Sequence, residues 1–128
     1  MLTRLLWVCA GGAVGSGARY LVALTAASTI GVQFPWGTLI VNVAGSFLLG
    51  AIMHVGAASE LLDPDLRLAL ATGVMGGFTT YSTFNYETLA YFQEGAWLVG
   101  FVNVAATMVL CLAAGLGGLA CGRWLMGG

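Results

Sequence analysis

Gly76-Gly77-Phe78-Thr79-Thr80-Tyr81-Ser82-Thr83-Phe84 places glycines, hydroxyls and aromatic rings in the middle of a stretch otherwise apolar enough to cross a bilayer. Lipid tolerates irregular backbone only where it is buried in protein or lines a polar cavity. The segment therefore predicts a membrane helix broken at a working site.

Composition agrees with that setting. Of 128 residues, 59% are hydrophobic and 7% charged, and the mean hydropathy is +0.94, the balance of an integral membrane protein rather than a soluble domain. The basic residues are Arg4, Arg19, Arg67 and Arg123, and the net charge is −1. No basic patch is evident for nucleic acid or for anionic lipid, and neither is expected as a partner. Cys9, Cys111 and Cys121 lie in apolar segments without metal-ligand or CxxC spacing, so they read as small core side chains.

Four spans are expected, at roughly 4–26, 36–57, 66–92 and 96–125, each near or above the ~20 residues that cross the hydrocarbon core. They make one all-α transmembrane domain, residues 1–128. Arg4 followed by an apolar run has some signal-peptide character. Removing it would cost a span, so it is read as part of the mature chain. Ser28 to Pro35 forms an uncharged connection, with Pro35 suited to the first turn of the next helix. Ser59-Glu60-Leu61-Leu62-Asp63-Pro64-Asp65 is an aqueous loop, and Gln93-Glu94-Gly95 a tight turn.

Glycines four apart (Gly11 and Gly15, Gly73 and Gly77, Gly118 and Gly122) mark helix faces where backbones approach closely. Gly12-Ala13-Val14-Gly15-Ser16-Gly17 has neither the order nor the preceding strand of a dinucleotide fingerprint. Thr38, Asn42 and Ser46 lie along one face of the second span, and Asn103, Thr107 and Cys111 along one face of the fourth. Beyond the break, Thr80, Thr83 and Glu87 recur at helical spacing. Tyr81 and Phe84 project together if the helix resumes there. Amide and hydroxyl hydrogens, with the electropositive edges of rings, suit a small anion, whereas carbonyls freed at the break suit a small hard cation.

The blocks Gly11-Gly12-x-x-Gly15-x-x-x-Arg19-Tyr20, Gly37-Thr38-Leu39-x-Val41-Asn42-x-x-Gly45-Ser46-x-x-x-Gly50 and Gly76 to Phe84, followed by Glu87, together resemble the Fluc (CrcB) family of fluoride channels. The resemblance covers all four spans. It implies an antiparallel, dual-topology homodimer in the bacterial inner membrane that exports toxic fluoride passively through two pores. It also implies a structural Na⁺ at the dimer centre, held by the backbone carbonyls of Gly76 and Thr79 from both chains. Asn42 matches the pore asparagine, Tyr81 and Phe84 the ring pair, Ser82 and Thr83 the adjoining hydroxyls, and Thr38 and Glu87 polar positions toward one pore end. Asn103 and Thr107 fall where the fourth helix contributes polar groups. One departure stands out: Tyr81 occupies the place of a phenylalanine, adding a hydroxyl.

Two further expectations concern charge. Arg4, Arg67 and Arg123 gather on the side of the termini, which by the positive-inside rule favours both termini in the cytoplasm; the family pattern implies insertion both ways. Arg19 and Glu87 both lie toward the opposite face and are expected to share a vestibule. His54 reads as interfacial and non-catalytic. A proton-coupled exporter of cationic drugs would need an acid central in its path, and the first span has none. A purely structural subunit would leave the polar stripes without purpose. No Ser/His, paired-carboxylate or metal constellation indicates an enzyme.

Overall fold

The computed structural model describes residues 1–128. Its elements are α1 (Leu2–Thr29), α2 (Trp36–Ala58), α3 (Pro64–Leu68), a π-helical segment (Ala69–Met75), α4 (Gly76–Phe78), α5 (Tyr81–Gln93) and α6 (Trp97–Leu125). Three of them, α1, α2 and α6, are long and apolar enough to cross a membrane. The shortest of these, the 23-residue α2, is about 35 Å long at ~1.5 Å per residue, against a hydrocarbon core of ~30 Å.

The expected third span is a composite arm. It starts where Asp63 caps α3, its carboxylate accepting from the N–H of Asp65 at 3.0 Å, with Pro64 in the first turn. The chain then passes through the π-helix and α4, opens at Thr79 and Thr80, and resumes as α5. The interruption anticipated across Gly76 to Thr83 is thus confined to two residues. The π-helical approach to it has no counterpart in the hydrophobic pattern.

Loop chemistry explains the remaining boundaries. The α1 helix runs past the anticipated end to Thr29, where the Ser28 and Thr29 hydroxyls turn back to the carbonyl of Thr25, at 3.0 and 2.6 Å. Pro35 sits one position earlier than expected, as the residue before α2. The α5–α6 turn closes as a Schellman motif. The N–H of Gly95 donates to Phe92 at 3.2 Å and that of Ala96 to Tyr91 at 2.8 Å. Gly95 adopts φ +77°, which a side chain would disfavour.

Packing is inverted relative to a soluble protein. Only 18 of 128 residues are buried, and they include Thr38, Asn42, Thr88, Asn103 and Thr107, while many leucines, tryptophans and valines face outward. Polar groups turned inward and apolar ones outward is the arrangement lipid favours. The α2–α6 contact is the most extensive. There, a Cβ on Gly118 would collide with the Phe47 carbonyl oxygen, and one on Gly50 would lie 2.6 Å from that of Gly115. His54 packs over Gly122, whose added Cβ would come within 2.9 Å of the His54 Cβ. On the other side, Gly11 and Gly15 of α1 press against the π-helix and α4, where the Cα of Gly73 lies 3.1 Å from the position of a Cβ on Gly11. All three glycine pairs therefore sit at helix contacts.

At the end carrying the termini, Arg4 Nε donates to Asp65 Oδ1 at 2.9 Å and Arg67 Nη1 to the Gly56 carbonyl at 2.8 Å. These contacts tie the α2–α3 loop to α1 and to the last turns of α2.

Candidate functional site

The break is held from α2. Thr79 (φ −82°, ψ 157°) and Thr80 (φ −153°, ψ 114°) are extended; the Thr79 N–H keeps the Met75 carbonyl at 3.0 Å, and the Thr80 N–H and carbonyl lose their helical partners. Asn42 supplies replacements in both directions: its Oδ1 accepts from the Thr80 N–H at 2.8 Å, and its Nδ2 donates to the Thr80 carbonyl at 3.0 Å. A carboxamide is the one neutral side chain type that serves a donor and an acceptor of the same residue this way. Gly45, one turn along, leaves room for Thr79, whose methyl would collide with a Cβ there. From α1, Arg19 Nε donates to the Gly77 carbonyl at 3.0 Å.

The restart of α5 is capped by Thr80. Its hydroxyl accepts from the Thr83 N–H at 3.2 Å and donates to the Thr83 hydroxyl at 3.0 Å, with Ser82 Oγ at 3.4 Å. Tyr81 and Phe84 stand together as expected, ring centroids 5.7 Å apart and tilted by 55°. Their surroundings differ sharply: Tyr81 is 76% exposed and Phe84 only 7%.

The polar stripes meet α5 at separate points. Thr38 donates its hydroxyl to Glu87 Oε1 at 2.8 Å, while Glu87 Oε2 is buried without a partner. Asn103 from α6, 1% exposed, donates to the Thr88 hydroxyl at 3.0 Å, which in turn donates to the Phe84 carbonyl at 2.8 Å. Thr107 is buried one turn further along α6. Ser46 bonds back to the Asn42 carbonyl at 2.6 Å, and Cys111 lines a groove with it.

A cavity of about 360 Å³ lies between α1, α2 and α5, lined by Ser16, Arg19, Thr38, Thr80, Thr83 and Glu87 among others. Arg19 and Glu87 thus share a vestibule without touching as an ion pair. A neighbouring cavity of about 240 Å³ also borders Thr38 and Glu87 and extends to Tyr91, whose hydroxyl donates to the Gln33 carbonyl in the α1–α2 connection at 3.3 Å. The two share Ala23, Gly37, Thr38 and Glu87, and together they form a recess leading from the break toward the membrane face opposite the termini.

A family model described as CrcB-like protein, Camphor Resistance (CrcB), matches residues 6–119. The chain belongs to the CrcB family. Curated relatives extend the match over nearly its whole length. A protein of Anaeromyxobacter dehalogenans named fluoride-specific ion channel FluC is 55% identical over 126 residues, 98% of this chain and all of that protein. One of the same name from Sorangium cellulosum is 50% identical over 127 residues, 99% of this chain and all of its own. Another from Geobacter sulfurreducens is 44% identical over 124 residues, 97% of this chain. The names are those of ion channels, not enzymes.

In this CrcB chain the structure brings Thr83, Thr38 and Glu87 to the same recess, with Asn42 bonded to Thr80 in its lining and Ser82 and Tyr81 exposed on α5. Asn103 reaches the Phe84 carbonyl through Thr88, and Thr107 is buried one turn further along α6. Gly76 is exposed, and a Cβ there would meet nothing within 4 Å. No hydrogen bond within the chain occupies the Thr79 carbonyl. Thr88 escaped the sequence reading although it is the link between α6 and the ring pair. Its spacing of four from Phe84 was the available signal.

Proposed function

We propose that the chain is a fluoride-selective channel, not an enzyme, mediating passive efflux across the bacterial inner membrane and so protecting the cell from fluoride. The observation that carries this reading is the break itself: two extended residues clasped by Asn42, beside a ring pair and a run of hydroxyls. The names of the relatives matched over their whole length point to the same ion.

Fluoride is small and strongly hydrated, so passage requires donors and positive edges in close succession. In this reading the track comprises Asn42, Tyr81 and Phe84 at the break, with Ser82, Thr83, Thr38 and Glu87 along α5 and Asn103 and Thr107 from α6. Carbon-bound ring hydrogens offer a positive edge without a competing acceptor. The hydroxyls rotate to present their hydrogens as the ion moves.

The functional unit in this reading is an antiparallel, dual-topology homodimer. The support is the open surface at Gly76 and the unpaired Thr79 carbonyl, since a bare carbonyl in lipid costs several kcal/mol. A structural Na⁺ fits the same place. The carbonyls of Gly76 and Thr79 are neutral oxygens suited to a hard monovalent cation, and the fold offers no cluster of His, Cys, Asp or Glu for another metal. Bound there, the ion would supply a fixed positive charge tying the two copies together.

The test is ion efflux from liposomes holding the purified protein, fluoride against chloride. Fast fluoride release with chloride retained is expected; equal rates would overturn the selectivity. Single-molecule photobleaching should find two chains per spot.

A further inference from the structure

At the end carrying the termini lies a cavity of about 360 Å³ that plays no part in the recess above, lined by Arg4, Met53, Pro64, Arg67, Leu68 and Thr72 among others. Its basic residues are incompletely used. Arg4 spends one of its N–H groups on Asp65 and Arg67 one on the Gly56 carbonyl, whereas a guanidinium carries five. The lining holds two guanidinium groups and no carboxylate; of the acids nearby, Asp65 is bonded to Arg4 and Asp63 is engaged in capping the first turn of α3. Thr72, exposed on the π-helix, adds a hydroxyl to the same wall.

The position selects the anion. Arg4 sits in the first turn of α1, Arg67 in the last turn of α3, and Met53 near the end of α2, so the cavity stands where apolar spans give way to a charged loop. Met53, Leu68 and Pro64 form an apolar side beside the polar one. Headgroup phosphate is the anion found at that depth, with its acyl chains directly beneath.

We propose that this cavity seats the headgroup phosphate of an anionic phospholipid, bridged by Arg4 and Arg67 with Thr72 as a further donor. Basic pockets between membrane helices are a known way of holding such headgroups. The Arg4–Asp65 contact then serves to orient one arginine toward the lipid, rather than only to fasten the loop.

Native mass spectrometry of the detergent-solubilised protein, titrated with phosphatidylglycerol, tests this without any measurement of ion flux. One retained lipid per chain is expected, surviving both excess phosphatidylcholine and millimolar inorganic phosphate. Arg4→Gln, at an exposed position that leaves the core intact, should weaken retention about fivefold or more. Thr72→Val, nearly isosteric, should weaken it by a smaller factor. Retention unchanged in both variants, or equal for phosphatidylcholine, would make the contact ordinary lipid solvation and overturn the proposal. Displacement by inorganic phosphate alone would overturn the lipid as occupant.

Discussion

Along α2 and α6 two unbroken helices meet backbone to backbone, whereas α1 meets, through the same glycine device, an arm that changes helical form and then opens. In the first pair Gly118 and Gly50 take the close approach; in the second Gly11, Gly15 and Gly77 do so. Close packing therefore does not require regular partners, only the absence of a Cβ where backbones meet. What separates the two regions is where hydrogen bonds go. The regular pair satisfies its own peptide groups and lends side chains outward, Asn42 to Thr80 and Asn103 to Thr88. The irregular arm is thus held open by its regular neighbours.

Asn42→Asp tests that dependence most severely. A carboxylate cannot donate to the Thr80 carbonyl and sets a negative charge beside it. Leaving such buried groups unpaired costs ~1–3 kcal/mol each, which corresponds to roughly a hundredfold loss of fluoride efflux. Liposome flux at matched protein content is the measurement; a rate within about threefold of wild type would show that the arm stays open without the clasp.

A second comparison sets Gly118→Ala against Gly15→Ala. Both methyls meet a backbone carbonyl oxygen, that of Phe47 or of Val74. Overpacking costs about 1–3 kcal/mol, and the regular pair, with no irregular segment to shift, should pay the larger share. Unfolding in mixed detergent micelles would rank them. The opposite ranking would make the broken arm the stiffer region.

The ring pair sharpens the contrast within the arm. Replacing the buried Phe84 by Ile removes a positive edge and should slow efflux about tenfold, or ~1.4 kcal/mol of barrier. Tyr81→Phe at the exposed ring should stay within about twofold, since it deletes only a hydroxyl with no partner in the chain. A collapse of flux in Tyr81→Phe would give that hydroxyl a role in conduction. The smallest effect belongs to Gly17, where a Cβ meets nothing within 4 Å. Gly17→Ala should stabilise the helix by up to ~1 kcal/mol without altering flux.

The parts of the molecule legible in advance were those written into local pattern. Apolar runs located three long helices nearly to their ends, and the glycine spacing marked the contact faces. Arg19 and Glu87 were placed in one vestibule from span direction alone. The π-helix was invisible because nothing in the spacing of Ala69–Met75 separates it from an α-helix; Gly11 and Gly15 of α1 lie against it. The side chain of Asn42 was read for its position in a stripe. Its two bonds to Thr80 depend on a neighbour 38 residues away, which spacing cannot supply. Thr88 was missed in part for the same reason: its spacing of four from Phe84 was visible, but its bond from Asn103, 15 residues away, was not.

The two-residue gap also arranges electrostatics. A helix ends at Phe78 and another begins at Tyr81, so the carbonyl end of one macrodipole faces the amide end of the next, about half a negative and half a positive charge. Left alone, the pair would nearly cancel at a distance. The Arg19 guanidinium bonded to Gly77 offsets the negative end, while the positive end of α5 is met by neutral oxygens, the Thr80 hydroxyl on the Thr83 N–H and Asn42 Oδ1 on the Thr80 N–H. The two ends of the gap are thus served by different chemistry, a charged group from α1 at the carbonyl end and uncharged groups at the amide end.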